Sequence, residues 1–276
     1  MIHPVTKIAF MIQQAKWISV LLVCNLFSFF AGAQPDKPVF THADTLRGSL
    51  NAERAYNVLK YDIVFTPDYQ DQSIRGKNTI TYTDSGIRTM QIDLQEPLEI
   101  DSIIRDNKKL NFSREGNAFH VQLKDYNDLS EPMLSRIAKK LTVYYHGNPQ
   151  IARNAPWDGG FVFTKDKLGR PWMSVACEGT GASVWYPCKD YLGDEPDSGA
   201  SLTIIAPDSL VAVGNGRLVK KAYGGKGLTA WTWAVVNPIN NYNIIPYIGK
   251  YVNFSRTYYG QKGNLDCSFW VLDYDL

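Results

Sequence analysis

The chain has 276 residues, of which 45% are hydrophobic and 20% charged, a composition that supplies a sizeable core and excludes a disordered chain. Its 29 basic residues stand against 27 acidic ones, with no basic patch and no nucleic-acid motif, so nothing points to a nucleic-acid partner. Aromatic residues reach 13%, with 16 Tyr and 7 Trp, a bias toward strands.

Residues 1–33 stand apart. Lys7 and Lys16 lead into an apolar run from Trp17 to Phe30, and Ala31-Gly32-Ala33 closes it with small residues. That order is a secretory signal peptide with cleavage after Ala33, and it predicts an exported protein, periplasmic or extracellular. Ser19, Asn25 and Ser28 interrupt the run, which is shorter than the ~20 residues that a membrane span needs, so no stable membrane insertion is expected. Without the leader the formal charge falls from +2 to zero.

Residues 34–56 read as an extended lead-in of little periodicity. From Asn57 the chain falls into short alternating runs. VLKYDIVFTPD ends at a Pro-Asp turn and IRGKNTITYTDSG at Asp-Ser-Gly. TMQIDLQEPLEIDSIIRDNKKL sets Ile92 and Leu94 on one face, with Ile100, Ile103 and Ile104 around a second strand. NFSREGNAFHVQL reads as a hairpin about Glu115-Gly116-Asn117, and KKLTVYYHGNP alternates Leu141, Val143 and Tyr145 against Thr142, Tyr144 and His146. SEPMLSRIAKK alone hints at a helix. Further on, ASLTIIAPDSLVAVGNGRL gives two strands split by Pro207-Asp208, and KKAYGGKGLTAWTWAVV a hairpin through Gly224 to Gly227. NYNIIPYIGKYVNFSRTYY and LDCSFWVLDY add further strands. The expected fold over 57–276 is all-β, a saddle-like sandwich of antiparallel or mixed sheets.

The residues offer little chemistry of their own. Beyond the leader the histidines are His42, His120 and His146, with no H-E-x-x-H, so neither a metal ligand set nor a catalytic residue is expected in this chain. Asp190, Asp194, Glu195 and Asp197 lack the spacing of a calcium loop and read as a solvated loop. Cys177, Cys188 and Cys267 are too few for a disulfide framework and read as buried thiols. There is no G-x-S-x-G elbow and no phosphate-binding loop. The unusual stretch is VACEGTGASVWYPCKDYLGDEPDSG, from Val175 to Gly199. Here Glu178 sits beside Gly179 and Gly181, which keep the backbone slim, while Trp185 and Tyr186 could form an apolar wall. An acidic group beside bare backbone and aromatics suits a small cation such as an amino terminus.

The same stretch resembles the amino-terminal domain of the zinc aminopeptidases of the aminopeptidase N and leukotriene hydrolase family, especially its secreted bacterial branch. Cys177-Glu178 is followed by Pro187-Cys188-Lys189-Asp190 and then Asp194-Glu195-Pro196-Asp197. PWDGGFVF (156–163), VAVGNGRL (211–218) and PINNYNIIPYIGKY (238–251) are further landmarks. The resemblance implies a β domain packed on a helical catalytic domain that carries the zinc and the general base. It also implies that Glu178 reaches into the cleft to hold the free α-amine of a peptide, so that the substrate-binding residues are Glu178, Gly179 and Gly181. No cofactor is then expected in this chain, zinc being expected in the catalytic domain, and the partners are a peptide amino terminus and that domain. This sequence departs from the pattern in two ways. The catalytic domain has no counterpart in the 276 residues, so a fragment of a longer enzyme is expected, and the lysine usual after Glu-Pro is replaced by Asp197-Ser198-Gly199. The rival reading is a secreted, non-catalytic β-sandwich that binds glycans or a protein through Trp157, Trp185 and Tyr186.

Overall fold

The structure is a computed structural model that describes residues 46–123 and 137–276. The signal peptide, residues 34–45 of the lead-in with His42, and residues 130–136 of the suggested helix over 130–140 lie outside the described residues; the four described residues of that run are not helical, and Lys139 and Lys140 open a strand. Among the described residues no helix is long and apolar enough to cross a membrane.

The described chain is almost entirely β. In order the strands are β1 (Tyr56–Asp68), β2 (Ser73–Asp84), β3 (Thr89–Asp93), β4 (Glu99–Arg105), β5 (Lys108–Leu110), β6 (Phe112–Glu115), β7 (Ala118–Gln122), β8 (Lys139–Gly147) and β9 (Gly160–Lys165). There follow β10 (Pro171–Ala176), β11 (Ala200–Pro207), β12 (Val211–Val213), β13 (Arg217–Gly225), β14 (Leu228–Val235), β15 (Tyr247–Gly249), β16 (Tyr251–Gly260) and β17 (Gly263–Leu272). They form an eight-stranded sheet in the order β13-β14-β11-β1-β2-β8-β4-β5, a four-stranded sheet β12-β15-β10-β9, a three-stranded sheet β3-β7-β6 and the ribbon β16-β17. All pairings are antiparallel except β1 with β11, which makes the large sheet mixed.

Alternation along the strands sets the core. Tyr61, Ile63 and Phe65 of β1, Ile80 and Tyr82 of β2, Leu141, Val143 and Tyr145 of β8, and Leu202 and Ile204 of β11 are all buried on one face of the large sheet. The Trp185-Tyr186 pair and the four-stranded sheet close over that face. Phe65 meets Trp185 edge-on at 5.2 Å and Phe161 of β9 at 6.5 Å, and Tyr61 meets Tyr186 at 5.8 Å. Trp185 and Tyr186 are therefore core, fully buried, and neither is a cleft wall or a glycan platform. Of the three aromatics in the rival reading only Trp157 is exposed.

Two local structures depart from the sequence reading. Asp106 and Asn107, both with positive φ, form a two-residue turn that folds β4 back on β5. The described end of the lead-in is docked rather than extended: Asn51 caps a short 3-10 turn (Ala52–Arg54), its side-chain oxygen accepting the amides of Glu53 and Arg54 at 3.0 and 3.1 Å. That turn drives Arg54 inward until it is fully buried.

Candidate functional site

β10 delivers the chain into a tight turn. The Cys177 carbonyl accepts the amides of Thr180 and Gly181 at 3.2 and 2.8 Å, and Gly179, with φ of 68°, supplies the left-handed residue that this turn requires at its third position. Glu178 takes the second position and is exposed. No described residue pairs with its carboxylate.

The next turn explains the second glycine. Gly181 has φ 77° and ψ −177°, a conformation nearly reserved for glycine, and a short 3-10 turn (Ala182–Val184) follows. The amides that open this turn point at Asp190, which accepts from Ala182 and Ser183 at 3.3 and 3.1 Å and from the Ser183 hydroxyl at 2.6 Å. Arg47 completes the carboxylate's shell at 3.1 Å. A methyl group on Gly181 would lie 2.5 Å from Asp190 Oδ2 and 2.4 Å from Arg47 Nη1. The slimness of Gly181 thus serves an internal ion pair, whereas at Gly179 nothing lies within 4 Å of that position.

The Pro187-Cys188-Lys189-Asp190 run fastens this loop to the sheets. The Pro187 carbonyl accepts from Asn78 Nδ2 at 2.9 Å, and Cys188 exchanges both backbone bonds with Asp93 at 2.8 and 3.1 Å. Lys189 donates to the Tyr56 carbonyl at 2.6 Å and lies 3.4 Å from Asp194. The Asp190 amide donates to Asp93 Oδ2 at 2.8 Å, and Arg54 binds Asp93 and the Arg47 carbonyl. The acidic run is accordingly not a solvated loop throughout. Asp190 is buried and Asp194 half-buried, each against its own cation, while Glu195 and Asp197 stay exposed. A buried carboxylate persists only where charge and donors compensate its lost hydration.

Burial shapes the titration of the cluster. It pushes the Asp93 carboxyl up to about 6, although Arg54 pulls the other way, and it lowers Lys189 while raising Asp194. Burial also pushes the Cys177 thiol up to about 12, with Asp190 adding to it, and carries Cys188 well above its usual value. Both are free thiols and stay protonated at neutral pH, so neither is a ready nucleophile. The remaining histidines are tied: His120 to Glu53, and His146 to Asp101 at 2.7 Å. Among the described residues no group of His, Cys, Asp and Glu could hold a metal ion.

Glu178, Gly179 and Gly181 all line one cleft of about 1060 Å³. Its walls come from β9 and β10 (Val162, Trp172, Ser174), from the segment before β15 and that strand's start (Tyr242, Ile245, Tyr247) and from the loop after Asp190 (Tyr191, Leu192). Arg47 lines it too, a residue that sequence reasoning missed, since a charge that will be buried has no periodic signature. The arrangement offers one unpaired carboxylate beside apolar and aromatic surface. It can hold a cation with an apolar body.

No protein-family model and no curated protein matches this sequence. Solved structures do match the fold. An M1 zinc metallopeptidase from Deinococcus radiodurans superposes with a TM-score of 0.64 at 16% identity over 80% of this chain and 48% of its own. The native leukotriene A4 hydrolase of Saccharomyces cerevisiae gives 0.58 at 16% identity over 88% of this chain and 35% of its own. One structure of the Deinococcus enzyme holds a Tyr-Ser-Ala substrate. The architecture described above is therefore one found within M1 zinc metallopeptidases, and the chain spans about half the length, 48%, of the first of these structures.

Proposed function

We propose that this chain is the amino-terminal β domain of an exported, zinc-dependent aminopeptidase, and that it contributes Glu178 as the anchor for the free α-amine of a peptide. The observation that carries this reading is the Glu178 carboxylate itself. It is exposed, has no partner among the described residues, and stands at a cleft on a turn that buried ion pairs hold in place. The fold shared with zinc metallopeptidases and the order of the Cys-Glu, Pro-Cys-x-Asp and Glu-Pro motifs support it.

A carboxylate fixed in this way accepts charge-assisted hydrogen bonds from an ammonium group and loses that interaction when the amine is acylated. Anchoring the amine fixes the first peptide bond relative to the anchor, so that one bond per chain end is presented to whatever cleaves it. The zinc does not fit here, because the described residues offer no ligand set, and the metal and its chemistry belong to another part of the longer enzyme. The order of charged, apolar and small residues over 1–33 supports the exported part of the reading.

Reading the coding sequence beyond Leu276 tests the first half of the proposal: an H-E-x-x-H segment is expected, and a stop or an unrelated domain refutes it. In the complete enzyme, Glu178→Ala is expected to lower kcat/KM on an aminoacyl anilide about ten- to a hundred-fold with unchanged zinc content, the loss of one charge-assisted bond of roughly 1.5–3 kcal/mol. Glu178→Gln, which keeps an acceptor, is expected to lose less. An alanine variant within two-fold of wild type removes the anchoring role.

A further inference from the structure

We propose that the outer edge of the eight-stranded sheet, strand β13, takes up an extended acidic segment of a partner protein as an added strand; this stands apart from the reading of Glu178. The near balance of charge over the whole chain conceals a segregation. Between Asp208 and Asp266 the sequence has no acidic residue and seven basic ones. Four of these, Arg217, Lys220, Lys221 and Lys226, lie on β13 or in the turn that follows it, so the expectation of no basic patch does not hold at this edge. None of the four forms an ion pair with a described residue, and Lys221 lies over the Trp231 ring, 4.4 Å from its centre. Asp208, at the border of the acid-free stretch, is engaged by the Thr229 hydroxyl.

Register decides what this edge receives. β13 pairs with β14 on one side, and no described strand pairs with the other. Alternate N–H and C=O groups along the strand are therefore open to a further strand. Arg217 through Lys221 are all exposed, as is Tyr223. Bulges between Leu218 and Lys220 and between Tyr223 and Gly225 bound a regular stretch from Lys220 to Tyr223. Arg217 stands opposite Ala234 and Lys220 opposite Thr232, so the first bulge puts both on one face of the sheet. Leu218 opposite Trp233, Lys221 opposite Trp231 and Tyr223 opposite Thr229 share the other face. The cations thus flank the open backbone from both sides.

That arrangement chooses among occupants. A second copy of this chain added edge to edge sets Lys220 and Lys221 against cations, and like charges directly opposite destabilise a strand pair. A surface of anionic headgroups attracts the cations but builds no ladder with the backbone between them. An acidic strand does both: its backbone completes the ladder, and its side chains, alternating between faces, meet Lys220 on one face and Lys221 on the other. Because these adjacent cations face opposite ways, the matching segment carries two consecutive acidic residues. In the antiparallel sense, the more stable per residue, a β-branched residue two positions before them lies against Tyr223.

The test titrates a labelled, end-blocked peptide, Ser-Val-Ile-Thr-Glu-Glu-Val-Ser, with the purified chain and follows fluorescence anisotropy. A Kd below about 1 mM is expected, weakened at least about three-fold when glutamine replaces both glutamates of the peptide. The double substitution Lys220→Glu and Lys221→Glu, at exposed side chains, is expected to weaken it at least about ten-fold. Two further peptides carry N-methyl groups at the odd or at the even residues. An added strand donates through every second amide, so one of the two is expected to lose binding and the other to keep it. Equal binding by the two overturns strand addition. A glutamine peptide as tight as the parent overturns the charge pairing, and a double variant that binds like wild type overturns the placement on β13. Absence of saturable binding up to about 2 mM overturns the proposal, as does binding to anionic phospholipid vesicles in place of the peptide.

Discussion

Replacing Gly181 by alanine inserts one methyl group where the structure has no room for it. The backbone there, φ 77° and ψ −177°, costs a residue with a Cβ about 1–3 kcal/mol. The methyl would also stand 2.4–2.6 Å from Arg47 Nη1 and the two Asp190 oxygens, so the ion pair must move. Asp190 holds four hydrogen bonds, and surrendering one charge-assisted bond costs roughly 1.5–3 kcal/mol. Together these give an expected loss of about 3–5 kcal/mol, read as a shift of the urea midpoint at unchanged slope by tryptophan fluorescence. The difference from the same substitution in an Asp190→Ala background isolates the second part, because there the crowded oxygens are gone and the Arg47 side chain, released from its partner, can swing aside. Equal penalties in both backgrounds would refute the crowding of Asp190. A loss below about 0.5 kcal/mol in wild type would refute the backbone assignment as well.

Glu178→Ala, in contrast, is expected to leave stability within about 0.5 kcal/mol of wild type, since the side chain is exposed and unpaired among described residues; a larger loss in the urea midpoint ties it to the fold instead. Asp93→Ala strands the buried Arg54 guanidinium and is expected to cost about 3–5 kcal/mol by the same measurement, while a neutral result contradicts the buried pair. Cys177 ionises near 9 in the unfolded chain and near 12 in the native one, so native stability is fully held below pH 9 and falls as the pH climbs toward 12. A stability that is flat across that window argues against the shift. Native alkylation at pH 8 is expected to spare Cys177 and Cys188 and to modify them once the chain is unfolded in urea; early labelling of Cys188 would contradict its burial.

The strands were legible because alternation and punctuation agree. Pro67-Asp68 closes β1, Glu115-Gly116-Asn117 joins β6 to β7, and Lys226-Gly227 turns β13 into β14, each where a turn-forming residue interrupts a period of two. The Asp106-Asn107 turn was hidden inside a run of charged residues that reads as surface either way. The segment from Cys177 to Gly199 is irregular, so it has no period to say which side Trp185 and Tyr186 face, and the core claimed both. Glu178 lines a cleft. Its supporting shell could not be read in advance, because Arg47, Arg54 and Asp93 reach Asp190 across up to 143 residues of sequence, and the pairing of distant charges leaves no local mark.

The parallel seam between β1 and β11 has a consequence for how the chain is made. Tyr61 lies beside Ala200 and Phe65 beside Ile204, so the middle of the largest sheet joins segments separated by the whole intervening chain. Until β11 leaves the ribosome, β1 has β2 on one side and thirteen residues of open edge on the other. A nascent chain in that condition resists completion, and it exposes a ready template for wrongful strand addition. Translation that halts before Ala200 therefore leaves a product that aggregates rather than a smaller folded domain.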